Sequence, residues 1–143
     1  MVILNTEGQS DKNPDDVGSY AINFSGIGDA TPGATEYIQP NGELFNGAET
    51  LYLVVPDNGS VVAMRALLGT APAVGETLSI TIMLNGGAQA MTFIISDAET
   101  TGSTTSNPVT LAAGDRITIR TVASNNGSQA TANISVNIKI QTV

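Results

Sequence analysis

In the run LSITIML, Leu78, Ile80, Ile82 and Leu84 fall on one side of an extended chain, and Ser79, Thr81 and Met83 on the other. NISVNIKIQ repeats the arrangement, with Ile134, Val136, Ile138 and Ile140 opposite Asn133, Ser135, Asn137, Lys139 and Gln141. Alternation with a period of two belongs to a half-buried β-strand, because successive side chains leave opposite faces of the pleat. β-Branched residues dominate both runs and favour the pleated surface over a helix. MTFIIS places Met91, Phe93 and Ile95 on one face. LYLVV and VVAMRALL are apolar on both faces, which predicts strands covered on two sides.

Turn chemistry separates these runs. Asn-Gly occurs at 41–42, 46–47, 58–59, 85–86 and 126–127, a dipeptide that tolerates the positive φ angles of tight hairpins. LNGGAQA, between the runs ending at Leu84 and starting at Met91, is the strongest hairpin candidate. VPDNGS predicts a turn between 55 and 61, and Pro72 and Pro108 mark two more. Strands about 8–12 residues apart with turns between them predict an all-β sandwich or barrel. No repeat of about 20–50 residues points to a solenoid or propeller.

The first 47 residues have another character. TEGQSDKNPDDVGS and SGIGDATPGATEYIQPNGELFNG are rich in Gly, Pro, Asp and Asn, with one short alternation at Tyr20, Ile22 and Phe24. So few apolar residues bury little by themselves. Yet two of the three tyrosines and two of the three phenylalanines lie here, which predicts docking somewhere. The expected division is therefore an arm and loop-rich segment over 1–47 and a β-sandwich domain over 48–143. Two outcomes remain open for the arm: Tyr20, Ile22 and Phe24 dock on a partner, or the segment forms an edge strand with long loops within its own domain.

At 143 residues the chain suits one domain and can bury about 68–70% of its unfolded surface. It contains no cysteine and no histidine. Nucleophile–base pairs built on those residues are therefore impossible, as are thiolate or imidazole metal sites. The start MVILNTEGQS lacks the basic and long apolar regions of a secretory signal, so export by that route is not expected. No apolar run approaches the roughly 18 residues of a membrane helix. A net charge of −8 weighs against nucleic acid and anionic membranes, which select clustered Lys and Arg.

Carboxylate chemistry stays formally open at Asp15 with Asp16, and at Asp97 with Glu99. A glycosidase needs two facing carboxyls and usually aromatics to hold the sugar, whereas these acids sit in polar turns of a chain without tryptophan. Solvated loop charges are the better reading. A hard-cation site at Asp57, Asp97 or Glu99 has no calcium-loop pattern to support it. Neither a phosphate loop nor a dinucleotide fingerprint is present, and the sequons at Asn23, Asn58, Asn126 and Asn133 fit chance in a chain rich in Asn and Ser. The expectation is a protein that is not an enzyme, with no cofactor and no metal.

Arg116 and Arg120 stand out because the chain has five basic residues against thirteen acids. They follow Asp115 in LAAGDRITIR, on a strand whose Ile117 and Ile119 take the opposite face. If the isoleucines face the core, Arg116, Thr118 and Arg120 form an outward strip. Arg65 lies in the apolar run VVAMRALL. These guanidiniums either pair with acids of their own domain or meet carboxylates of a neighbouring subunit, where bidentate geometry fixes orientation.

From VVAMRALLGTAP through LNGGAQAMTFIIS and LAAGDRITIR to NISVNIKI, about residues 61–141, the layout resembles a jelly-roll module of phage virion proteins and bacterial fibre-tip domains. It is also similar to the trimeric heads of spore-surface collagen-like proteins and, more distantly, to complement and tumour-necrosis-factor heads. The resemblance implies a jelly-roll β-sandwich with an extended N-terminal arm, commonly a homotrimer, and carries no catalytic residues. It implies a capsid decoration (cement) protein on the virion exterior, made in the host cytoplasm and touching the major capsid protein or another virion protein. The alternative is a receptor- or carbohydrate-binding head of a fibre or surface filament. The interface residues expected on either reading are Arg65, Arg116, Arg120, Tyr20, Ile22 and Phe24.

Overall fold

A computed structural model of the chain describes residues 18–40, 49, 52–124 and 132–143. Among them there is no helix. Ten strands run in chain order: β1 (Ser19–Asp29), β2 (Thr35–Ile38), β3 (Leu53–Val54), β4 (Gly59–Leu68), β5 (Thr77–Leu84), β6 (Gly87–Ser96), β7 (Thr101–Thr104), β8 (Val109–Leu111), β9 (Arg116–Ala123) and β10 (Ala132–Thr142). They form two antiparallel sheets. Sheet A has the order β1-β10-β4-β7, with β8 also on β4. Sheet B has the order β2-β9-β5-β6, with β3 also on β9.

The pairing is nested. The first strand pairs the last, β2 and β3 pair β9, β4 pairs β7 and β8, and β5 pairs β6. A long ladder folded over on itself in this way is a jelly-roll sandwich. Its core lies between the sheets, where the alternating runs meet. Leu78, Ile80 and Ile82 of β5 share it with Ile134, Val136 and Ile138 of β10, all buried, together with Ile117, Ile119, Met91 and Ile95. The hairpin at Asn85–Gly86 forms as expected between β5 and β6. Both of its residues have positive φ, 51° and 83°, as a type I′ turn requires.

Two expectations change. The first concerns the segment 1–47. Residues 1–17 and 41–48 lie outside the described residues, but those between them are built into the sandwich. β1 pairs β10 from Ser19↔Gln141 to Gly26↔Ile134, and β2 pairs β9. Phe24 is 0% exposed in the core, with Tyr20 and Ile22 packed against it. The boundary drawn at 47/48 therefore does not separate an arm from a domain across residues 19–38. The short alternation is an intramolecular strand, because β10 gives its apolar side a long neighbour to bury against.

The second concerns VVAMRALL. It is not covered on both sides. A register shift between Lys139 and Ile140 places Val61↔Ile140 and Ala63↔Lys139, leaving Val62 as the extra residue. A bulge of this kind resets which side chains point inward. Val61, Met64, Ala66 and Leu68 go to the core, while Arg65 and Leu67 face out, Leu67 with 55% exposure. Where β4 starts, Gly59 lies so close to the Gln141 carbonyl that a Cβ would collide with that backbone.

Candidate functional site

β9 carries the arginines on the outer side of sheet B. Ile117 and Ile119 are fully buried, so strand alternation turns Arg116, Thr118 and Arg120 the other way. Two turns fix where the strand begins. The Asp115 carboxylate accepts the Ala112 N–H at 2.7 Å and the Asn85 side-chain N–H at 2.8 Å. The Asn85 side-chain carbonyl in turn accepts the Arg116 N–H at 2.9 Å. The Ala112 backbone bond first, and the Asn85 bond second, hold the Asp115 carboxyl below the ordinary aspartate value. Asn85 thus ties the β5–β6 hairpin to the start of the arginine strand.

The three outward residues differ in environment. Arg116 is exposed and its guanidinium carbon lies 4.7 Å from the centroid of the Tyr52 ring, a cation–π arrangement. Thr118 is buried rather than open, its hydroxyl donating to the Ile38 carbonyl at 3.2 Å. The strip expected from the sequence is therefore two separate cations. Arg120 is partly buried, stands opposite Tyr37 in register, and has its Nε buried without a hydrogen bond. The tyrosines beside both arginines were not singled out from the sequence. Only the pairing of β2 and β3 with β9 brings them there.

Arg65 lies on the outer face of the other sheet, opposite Asn137 and Ser103. The fold does not unite it with Arg116 and Arg120. It sits one row from Lys139, which pairs with Ala21 and Ala63 and which sequence reasoning missed. The two cations flank a shallow depression of about 140 Å³ lined by Ala21, Ala63 and Asn137. Around it the face is small and uncharged: Asn23 donates to the Ser135 hydroxyl at 2.7 Å and to Asn137 at 3.1 Å. No described carboxylate pairs with Arg65, Arg116, Arg120 or Lys139.

Tyr20, Ile22 and Phe24 require correction as interface candidates. Their side chains point between the sheets into their own core. The Tyr20 hydroxyl is buried there without a hydrogen-bond partner.

The carboxylates lie mainly at turns. Asp57, Asp97 and Glu99 are exposed; Asp97 accepts the Gly75 N–H. Glu36 is buried, and its carboxylate accepts the Thr31 N–H and hydroxyl, each at 2.9 Å. Asp15 and Asp16 lie outside the described residues. Among the described residues no group of three metal-ligating side chains converges.

No family model matches the chain. No curated protein matches it either. Among solved structures it is similar to one of Bacillus endospore appendages, a family of disulfide-linked pili, at 12% identity and a TM-score of 0.41, covering 89% of this chain and 88% of that one. It is also similar to a family 35 carbohydrate-binding module from Clostridium thermocellum, at 16% identity and a TM-score of 0.40, covering 90% and 93%.

Proposed function

We propose that this chain is a structural virion protein, a capsid decoration protein that works as a homotrimer on the capsid exterior and makes contact with the major capsid protein. The observation that carries this reading is the placement of charge. Four cations stand on the outer faces of the two sheets without a carboxylate partner among the described residues, in a chain of net charge −8. A guanidinium without a carboxylate partner among the described residues can meet a carboxylate on a neighbouring surface, where bidentate pairing fixes orientation. The alphabet of the chain, without histidine or cysteine, suits work done by contact. The jelly-roll topology agrees with the virion-protein resemblance of residues 61–141.

The test is charge reversal. Arg116→Glu with Arg120→Glu should lower capsid occupancy and trimer content while the melting temperature of the isolated domain stays near wild type. Normal occupancy and an unchanged oligomer would reject the reading.

A second reading has its own observation. Tyr52 beneath Arg116 and Tyr37 opposite Arg120 form an aromatic and cationic patch on one sheet face, the kind of surface that holds a sugar or a receptor. Specific binding on a glycan array, abolished by Tyr52→Ala, would favour a binding head over a decoration protein.

A further inference from the structure

We propose that the outer edge of β1 pairs with β1 of a second copy of this chain, antiparallel about a two-fold axis, so that sheet A runs continuously through two sandwiches. β1 is the terminal strand of sheet A. From Ser19 to Gly26 it keeps an unbroken register with β10, and the shift comes only between Gly26 and Asp29. Along that stretch, alternate N–H and C=O groups point away from β10 and meet no strand among the described residues. An edge of this length is a template for another strand.

Natural sheets blunt such edges with short strands, charges, proline, bulges or a covering group. The other edges of this sandwich use those devices. β2, β3, β7 and β8 have four, two, four and three residues. β6 is long, but its register shifts opposite Ile82, and the Asn107 side chain donates to the Ala90 carbonyl at 3.3 Å. Ser19–Gly26 has no charged residue, no proline and no bulge in SYAINFSG, and no described strand pairs with its outer edge. Among the described strands, β1 is the long edge left open: β6 is equally free of charge, but its register is broken by the shift opposite Ile82, whereas Ser19–Gly26 is regular throughout.

Those same residues favour a second copy as the occupant. Any antiparallel register that keeps the outer face outward sets Ala21, Asn23 and Ser25 against one another. All three are small or neutral, so no like charges meet. Two chains of net charge −8 repel at most approaches. Here the contact strand carries no carboxylate from Ser19 to Gly26, and the strand behind it presents Lys139 opposite Ala21. A two-fold contact is also the commonest closed arrangement of identical chains.

The experiment is hydrogen exchange of the full chain over a concentration series, with the mass followed by sedimentation. The expected result is a two-fold association, of protomers or of the trimers proposed above, in which β1 amides between residues 19 and 26 gain protection as concentration rises. Ala21→Glu with Ser25→Glu sets acids against acids across the axis, while the carboxylate introduced at position 21 faces Lys139 within each protomer and spares the fold. This variant should dissociate at least tenfold more readily, yet melt like wild type when dilute. A wild type whose mass does not double as concentration rises overturns the proposal. So does β1 protection that is independent of concentration, or a variant that associates as tightly as wild type. Arg116→Glu with Arg120→Glu leaves this edge untouched, so loss of capsid attachment and loss of the two-fold contact are read separately.

Discussion

Replacing Phe24 by alanine tests whether the apolar-poor N-terminal region is part of the folded unit. Phe24 lies in β1 opposite Val136, is 0% exposed, and is among the largest fully buried side chains. Truncating a buried phenylalanine to alanine costs about 3–5 kcal/mol, the lost transfer free energy plus that of the cavity left behind. Against the roughly 5–15 kcal/mol by which a domain is stable, that is a large fraction. The assay is urea unfolding. For an m value of about 2 kcal/mol/M, the midpoint should fall by about 2 M. Asn23→Ala is the control from the same strand. It removes two side-chain hydrogen bonds on the solvent side and should cost about 1 kcal/mol, near 0.5 M. A loop that docks on a partner would behave otherwise: its phenylalanine would be dispensable to the isolated chain. A Phe24→Ala midpoint no lower than that of Asn23→Ala would refute the placement of β1 in the core.

Ala98 adopts a φ of 58° at the turn after β6, a left-handed conformation that costs an L-residue about 1–2 kcal/mol. Ala98→Gly removes that cost and gives back part of it as unfolded-state entropy, so the melting temperature should rise by a few degrees; a fall would contradict the geometry. Asp115 has a carboxyl held below its ordinary value, so its contribution to stability is fully present above the unfolded aspartate value of about 3.9 and is lost as pH falls through the lower folded value. Unfolding midpoints between about pH 6 and pH 2 should therefore drop more steeply for wild type than for Asp115→Asn. Parallel curves would show that the Ala112 and Asn85 bonds do not favour the ionised form.

The strands that the sequence announces most clearly are those whose alternation is long and regular. β5, β9 and β10 are legible because each carries a regular apolar face, and a period of two is the direct trace of that. The hairpin at Asn85–Gly86 is legible because its positive φ angles restrict it to a few residue types. β1 has the same alternation at Tyr20, Ile22 and Phe24, but over too short a run to outweigh the glycines, prolines and acids around it. Its burial depends on β10, at the far end of the chain, and so only the folded chain could decide it. The bulge in β4 was hidden for a related reason. Val61 to Leu68 are apolar on both sides, and which of them turn inward is set by the register with β10 rather than by their own spacing.

The candidate site divides along the same line. Local alternation after Asp115 determines that Arg116 and Arg120 leave the core side of their strand. It does not determine that Thr118 between them is sealed by the Ile38 carbonyl, or that Tyr52 and Tyr37 stand beside the two arginines. Composition alone excludes histidine and cysteine chemistry, since a side chain that is absent cannot be supplied by folding. The separation of Arg65 from the other arginines, its approach to Lys139 and the open edge of β1 are properties of strand order. Strand order follows from which distant faces bury each other best, and that information resides in the packed sheets.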